Sequence, residues 1–322
     1  MYSCKRDVGR WKAFRQLGPW LASALVLPVI LSGCVTTNTE SPDQLVADAA
    51  AAARANEKLD PEYRKLLLSH GQRALEGEKY EEAVGAYRRV LDAEPKNPEA
   101  TFGMAETMLA VADYAAALSY YRALEKNEAF HARAYQGEGI VLLNLGQHEQ
   151  STELLKKAVA VDAKLWRAWN ALGRTLDIQG KHDEARTDYD KALAIEPNSA
   201  VVLNNRGVSN MLSGQFPAAE KDLRNAISQD RELERARGNL RLVLAWQGKY
   251  AEALADVGRI NAPAVLNNIG YIAMKRGDLS HAEAYFAQAM QLSPAFYDKA
   301  DRNLKFLHEL KQLQKVADTN RG

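Results

Sequence analysis

Three ladders of residues recur along this chain every 34 positions. Small residues stand at Ala83, Ala117, Ser151, Ala185, Ala219, Ala253 and Ala282. Beside them run Gly71, Ala105, Gly139, Gly173, Gly207, Arg241 and Gly270, then a bulky set: Tyr87, Tyr121, Leu155, Tyr189, Leu223, Val257 and Phe286. In all three ladders the last step shortens from 34 to 29. A fixed period of this length means one supersecondary unit stacked on itself, because a single unit cannot bury its apolar face alone. Such arrays expose an extended surface, so the expected product is a binding surface and not a reaction centre.

The period divides residues 64–296 into seven copies: 64–97, 98–131, 132–165, 166–199, 200–233, a short 234–262 and 263–296. Each is expected to hold two helices joined by a tight turn. Glycine marks the turn at Gly146, Gly180, Gly214, Gly248 and Gly277, and at Gly77 one residue out of register. Glycine suits that place because a helix commonly ends on a left-handed residue. The fourth copy carries Trp169, Leu172-Gly173, Leu176, Ala185, Tyr189, Ala192 and Pro197, and in this it resembles the tetratricopeptide repeat. The resemblance implies an all-α, right-handed α-solenoid of about seven helix pairs over 61–316. After Pro294 a stripe of Ala300, Leu304, Leu307 and Leu310 predicts a capping helix to about Val316, with 317–322 frayed. In the sixth copy the bulky Arg241 predicts looser packing. Its second helix is expected to end near Ile260, with Asn261 as a left-handed cap and Pro263 opening the next helix.

The first 33 residues differ from the rest. Lys5, Arg6, Arg10, Lys12 and Arg15 against Asp7 alone precede an uncharged apolar stretch, Trp20 to Leu31. This is the pattern of a secretory signal, too short for a comfortable membrane span. Leu31-Ser32-Gly33-Cys34 resembles the lipobox of bacterial lipoproteins, which implies lipidation of Cys34. Several acyl chains would hold the protein at a bilayer essentially permanently. With Val35 rather than Asp after the cysteine, that resemblance implies an outer-membrane anchor facing the periplasm. Residues 34–60 would be a tether and an Ala-rich helix starting at Ser41-Pro42. The remaining cysteine, Cys4, leaves with the signal, so helix packing alone must stabilise the mature domain.

Chemistry is sparse. No histidine pair has zinc-protease spacing, and no serine has nucleophile-elbow context. His148 and His182 are 34 apart because they share one slot in consecutive repeats. Gly137-Glu138-Gly139 falls inside a helix with no strand before it, which excludes a dinucleotide loop. The chain is read as no enzyme, with no catalytic residue, metal or cofactor beyond the covalent lipid. Nor does a net charge of +1 leave a footprint for nucleic acid.

What remains is the face made by the first helix of each pair. Its slots hold Asn170, Arg174 and Asp177; Asn204, Asn205, Val208 and Met211; Asn239, Leu242 and Trp246; Asn267, Asn268, Tyr271 and Lys275. Amide side chains can both donate to and accept from a peptide backbone. Ile140, Leu143, Val208, Met211, Leu212, Leu242, Trp246 and Tyr271 read as a continuous apolar stripe. Such a stripe fits either a partner's amphipathic helix or packing within the chain itself. Trp246 would be the strongest anchor.

The phrases Arg235-Ala236-Arg237-Gly238-Asn239-Leu240, Ala245-Trp246-Gln247-Gly248, Leu266-Asn267-Asn268-Ile269-Gly270 and Arg302-Asn303-Leu304 resemble those of the tetratricopeptide lipoproteins of Flp (Tad) pilus assembly. That resemblance implies a pilotin-like role, binding the outer-membrane secretin. The other expectation is a lipoprotein scaffold recruiting peptidoglycan or other envelope-assembly proteins.

Overall fold

A computed structural model describes residues 59–293 and 297–319, all within one compact unit, Ala55–Gly322. The signal, Cys34 and the Ala-rich helix lie outside the described residues. The described residues form fifteen helices and no strand. Seven pairs follow one another: α1 (Pro61–Glu76) with α2 (Tyr80–Ala93), α3 (Pro98–Ala110) with α4 (Tyr114–Arg122), α5 (His131–Asn144) with α6 (His148–Val161), and α7 (Trp166–Ile178) with α8 (His182–Ile195). Then come α9 (Ala200–Leu212) with α10 (Phe216–Gln229), α11 (Glu234–Trp246) with α12 (Tyr250–Leu254), α13 (Ala262–Arg276) with α14 (Leu279–Leu292), and a last helix, α15 (Tyr297–Thr319). This is an α-solenoid of helix pairs. Helix α15 runs to Thr319, past the predicted end at Val316.

The ladders explain the stacking. Every member of the small-residue ladder is 0% exposed, at the crossing of the two helices of its pair. Ser151 is accommodated there because its hydroxyl donates to Gly139 O at 2.7 Å. The glycine ladder faces the bulky one. A Cβ on Gly71 would come within 2.7 Å of the Tyr87 ring, on Gly173 within 2.7 Å of Tyr189, and on Gly207 within 2.8 Å of Leu223. Real Cβ contacts are not that short, so these pairs of ladders specify each other. Gly137 and Gly139 are explained in the same way, by Tyr121 and Leu155.

The turns form a fourth ladder. Glu78, Ala112, Gly146, Gly180, Gly214, Gly248 and Gly277 all have positive φ, between 56° and 86°. They are 34 apart until the last step. Gly77 is not the left-handed residue of the first turn, as its register had suggested: its φ is −84°, and Glu78 takes that role at φ 56°. The period overrides residue preference here, although a side chain in this region costs about 1–2 kcal/mol.

Repeat six departs from the plan more than expected. Helix α12 has 5 residues where α10 has 14. It stops at Leu254 rather than near Ile260, and the left-handed residue is Asp256 at φ 57°. Asn261 has φ −90° and precedes α13 instead of closing α12. Pro263 lies in the first turn of α13, as predicted. At the end of the array Ala300 and Leu307 are fully buried, and Leu304 and Leu310 pack on the same cluster as Phe286 and Ile269. The last repeat therefore has its cap.

Candidate binding groove

The first helices α3, α5, α7, α9, α11 and α13 lie side by side, so residues one period apart meet. Their asparagines bond across repeats. Asn205 Nδ2 donates to Asn170 Oδ1, Asn239 Nδ2 to Asn204 Oδ1, and Asn303 Nδ2 to Asn267 Oδ1, each at 2.9 Å. Asn204 also reaches Asn205 Oδ1 at 3.3 Å, joining two rungs. Between consecutive regular repeats the rule is simple: an asparagine pairs with the following position of the next repeat, 35 residues on, as Asn170 does with Asn205 and Asn204 with Asn239. Between repeats six and seven the rule would join residue 238 to Asn268. Residue 238 is glycine, and a Cβ placed there would meet nothing within 4 Å. Asn268 is accordingly exposed, an open rung.

Most other polar groups on this face are also held within the chain. Asp177 accepts from Tyr189 Oη at 2.8 Å and Ser209 Oγ at 2.7 Å, with His182 Nδ1 at 2.8 Å. Burial and the Asp177 carboxylate together push the Tyr189 hydroxyl well above its ordinary range. Glu106 bridges Tyr121 and Arg167 at 2.5 and 2.6 Å, tying α3 to α7 across the intervening repeat. Asp222 is buried and accepts two bonds from Arg206, at 2.6 and 2.9 Å, and one from Asn210 at 3.0 Å. Charge-assisted bonds of this kind are the strong ones; Glu106–Arg167 ties one repeat to another, while Arg206–Asp222 joins the two helices of one repeat.

The apolar slots divide. Leu143 is 4% exposed and packs with Leu155, Ala168 and Leu172. Met211 lies against Leu223 and Ala236. The Trp246 ring stacks on Phe216 with centroids 5.7 Å apart and planes 7° apart. Leu212 and Tyr271 are open, at 55% and 44% exposure. Beside the open rung, Leu242, Tyr271 and Ile272 line a recess of about 360 Å³, with Asn267, Asn268 and Asn303 as its polar edge. Lys275 stands over the Tyr271 ring at 5.6 Å.

Models described as "Tetratricopeptide repeat" match residues 44–98, 74–137, 132–165, 166–199 and 263–296, which together span more than half the chain. The chain is a tetratricopeptide-repeat protein. Its match begins at residue 44, upstream of α1 and inside the segment read as an Ala-rich helix. Among solved structures, an IFIT1 monomeric mutant with m7Gppp-AAAA is 17% identical, covering 79% of this chain and 64% of that one, at a TM-score of 0.55. TTC0263, a thermophilic repeat protein of Thermus thermophilus, is 20% identical over 59% of this chain and 98% of its own, at a TM-score of 0.49. A repeat protein from Parabacteroides merdae is 15% identical over 77% and 99%, at a TM-score of 0.47. No curated protein matches the chain. Tetratricopeptide-repeat proteins commonly act as protein-binding scaffolds.

Within a tetratricopeptide frame the expected site residues sort clearly. Asn170 and Asn204 are buried and Asn205 and Asn239 are half-buried; all four are spent on each other. Leu143 belongs to the core, because its side chain points at the following repeat rather than into the groove. Ile140, Met211 and Trp246 are half-buried against core clusters. The stripe is therefore interrupted. Arg174 is half-buried beside Tyr189, and Val208 is half-buried. Leu242, Asn267, Asn268 and Tyr271 are the expected residues that meet at one recess. Ile272 and Asn303 complete it and were not among the expected groove residues; the signal for Asn303 is its spacing, 36 residues after Asn267. Among the described residues no group of three or more His, Cys, Asp or Glu could hold a metal ion, and no helix is long and apolar enough to cross a membrane.

Proposed function

We propose that this protein is a lipid-anchored scaffold of the outer membrane that holds a segment of a pilus secretin in the C-terminal half of its groove, in a pilotin-like role. One observation supports the site above others: the open rung at Asn268 beside the Leu242–Tyr271 recess. The Asn268 carboxamide can donate to a peptide carbonyl and accept from a peptide N–H, while the recess takes one apolar side chain of the same segment. The membrane anchor rests on the Leu31-Ser32-Gly33-Cys34 string and the pilus assignment on the phrases of 235–307.

Crosslinking of the membrane-anchored protein, followed by affinity purification and mass spectrometry, tests the partner. A secretin recovered with the native protein, and reduced at least tenfold with Asn268→Ala, is the expected result. Absence of any secretin after crosslinking would remove the pilotin reading. Cys34→Ser should leave the repeat domain folded but release it from, or leave it unprocessed at, the membrane; continued outer-membrane fractionation would contradict the anchor.

A further inference from the structure

The two irregularities of repeat six are one structural event. In the other repeats a glycine or alanine occupies the place of Arg241, because the bulky residue of the second helix lies directly against it. An arginine fits only if that helix is withdrawn. In repeat six it is: α12 ends at Leu254, and the chain turns away through the left-handed Asp256. The seat left empty is a cleft of about 750 Å³ between α10, α11 and the 255–261 segment. Its floor is apolar, with Ile227, Leu240 and Leu244.

Three guanidinium groups line the cleft: Arg224, Arg237 and Arg241. Three carboxylates line it too, so the cleft as a whole is not a field of one sign. Two of the arginines are already matched. Arg224 holds Glu220 at 2.8 Å and Glu252 at 3.2 Å, and Arg237 holds Glu234. The remaining carboxylate, Asp256, is exposed on the turn. Arg241 is half-buried, and among the described residues no carboxylate lies within ion-pair distance of it. A guanidinium is always charged and presents a planar fork of donors matched to carboxylate and phosphate. Half-buried without a partner, Arg241 forgoes the charge-assisted bonds that Arg167 and Arg206 make within the array.

We infer that this cleft is a binding site for an oxyanion, with Arg241 as its ligand above the apolar floor of Ile227, Leu240 and Leu244. The ligand carries a phosphate or a carboxylate on a body small or slender enough for the vacated helix seat. This site is separate from the groove around Asn268 and does not depend on the function proposed for that groove.

The test titrates the full chain with inorganic phosphate and, separately, with an end-blocked tetraglutamate peptide. Sodium chloride at equal ionic strength is the control, with binding read by calorimetry and by the arginine Nε–Hε signals in NMR. Saturable binding of at least one probe, weakened tenfold or more by Arg241→Gln and unchanged by Arg186→Gln, is expected. Preference for phosphate assigns the site to a phosphorylated ligand; preference for the peptide assigns it to an acidic protein segment. No saturable response above the chloride control, or equal binding by Arg241→Gln, overturns the inference. Circular dichroism checks that each variant is folded. Arg241→Lys keeps the charge without the fork and should bind at an intermediate level, which secures the reading if the glutamine variant is poorly behaved.

Discussion

Gly238→Asn should close the open rung of the asparagine ladder. The site has room, since a Cβ at Gly238 meets nothing within 4 Å. The register is that of rungs already formed at 2.9 Å between Asn205 and Asn170 and between Asn239 and Asn204. Two effects act together. Replacing an interior helical glycine by asparagine recovers about 0.3 kcal/mol of helix propensity. A new side-chain hydrogen bond contributes about 0.5–1.5 kcal/mol net. The sum is about 1–2 kcal/mol of stabilisation. Propensity alone could mimic this, so the diagnostic is a cycle with Asn268→Ala. The introduced carboxamide and Asn268 should couple by about 0.5–1.5 kcal/mol, whereas Gly238→Ala should be stabilising by about 0.5–1 kcal/mol and show no coupling. Denaturant unfolding followed by circular dichroism measures all four corners, with far-separated midpoints treated as partial unfolding of the array rather than as one transition. A coupling indistinguishable from zero would mean that residue 238 does not face Asn268. In the same variant partner capture should fall, because the amide offered to the segment is now occupied.

Three further outcomes follow from individual sites. Glu138 is 3% exposed, with Oε1 unpartnered and Arg122 at 3.4 Å; burial, with Glu125 beside it, pushes its carboxyl up to about 7. A raised folded-state value contributes stability that is full below the ordinary carboxylate range and is lost as pH rises through about 7. Glu138→Gln should therefore unfold like the parent at pH below about 4 and be more stable at pH 8, by on the order of 3 kcal/mol at most; equal pH profiles would refute this. Ala112→Gly should stabilise by about 0.5–1 kcal/mol, because glycine adopts φ 60° without the side-chain penalty; a lower melting temperature would count against the turn geometry. Gly207→Ala should destabilise by about 1–3 kcal/mol, since its Cβ would come within 2.8 Å of Leu223, and no change would show that Gly207 and Leu223 are not in close contact.

The array itself was legible in the sequence because its determinants are pairwise and periodic. A small residue at Ala83 and its successors, a glycine against a bulky ring, and a left-handed turn each recur at one interval, so each copy confirms the others. The Gly77 misplacement shows the limit of reading residue preference instead of period. Glycine is the favoured left-handed residue, yet the interval of 34 points to Glu78, and the interval was right. The length of α12 was less legible. Arg241 signalled loosened packing, but nothing local to 250–260 stops a helix at Leu254. Its early end goes with the arginine on the preceding helix, which stands where the other repeats keep a glycine or alanine under the second helix.

The groove was harder to read for a different physical reason. An asparagine on the first helix of a repeat is a binding group or a structural one according to what the neighbouring repeat offers it. Asn205 and Asn268 occupy equivalent places and look alike in sequence. Asn205 finds Asn170, and its amide is satisfied within the fold. Asn268 finds Gly238, which has no side chain to give. The distinction lies in the residue one repeat earlier, at an interval of 35 in the regular array and 30 where repeat six is short. Once the rungs are known, that pairing can be applied to any array of this kind before its structure is seen: each asparagine in the slot of Asn205, Asn239 and Asn268 is checked against the preceding position of the previous repeat. Those without a partner are the candidates for ligand contact, and here the check leaves Asn268, next to the recess formed by Leu242 and Tyr271.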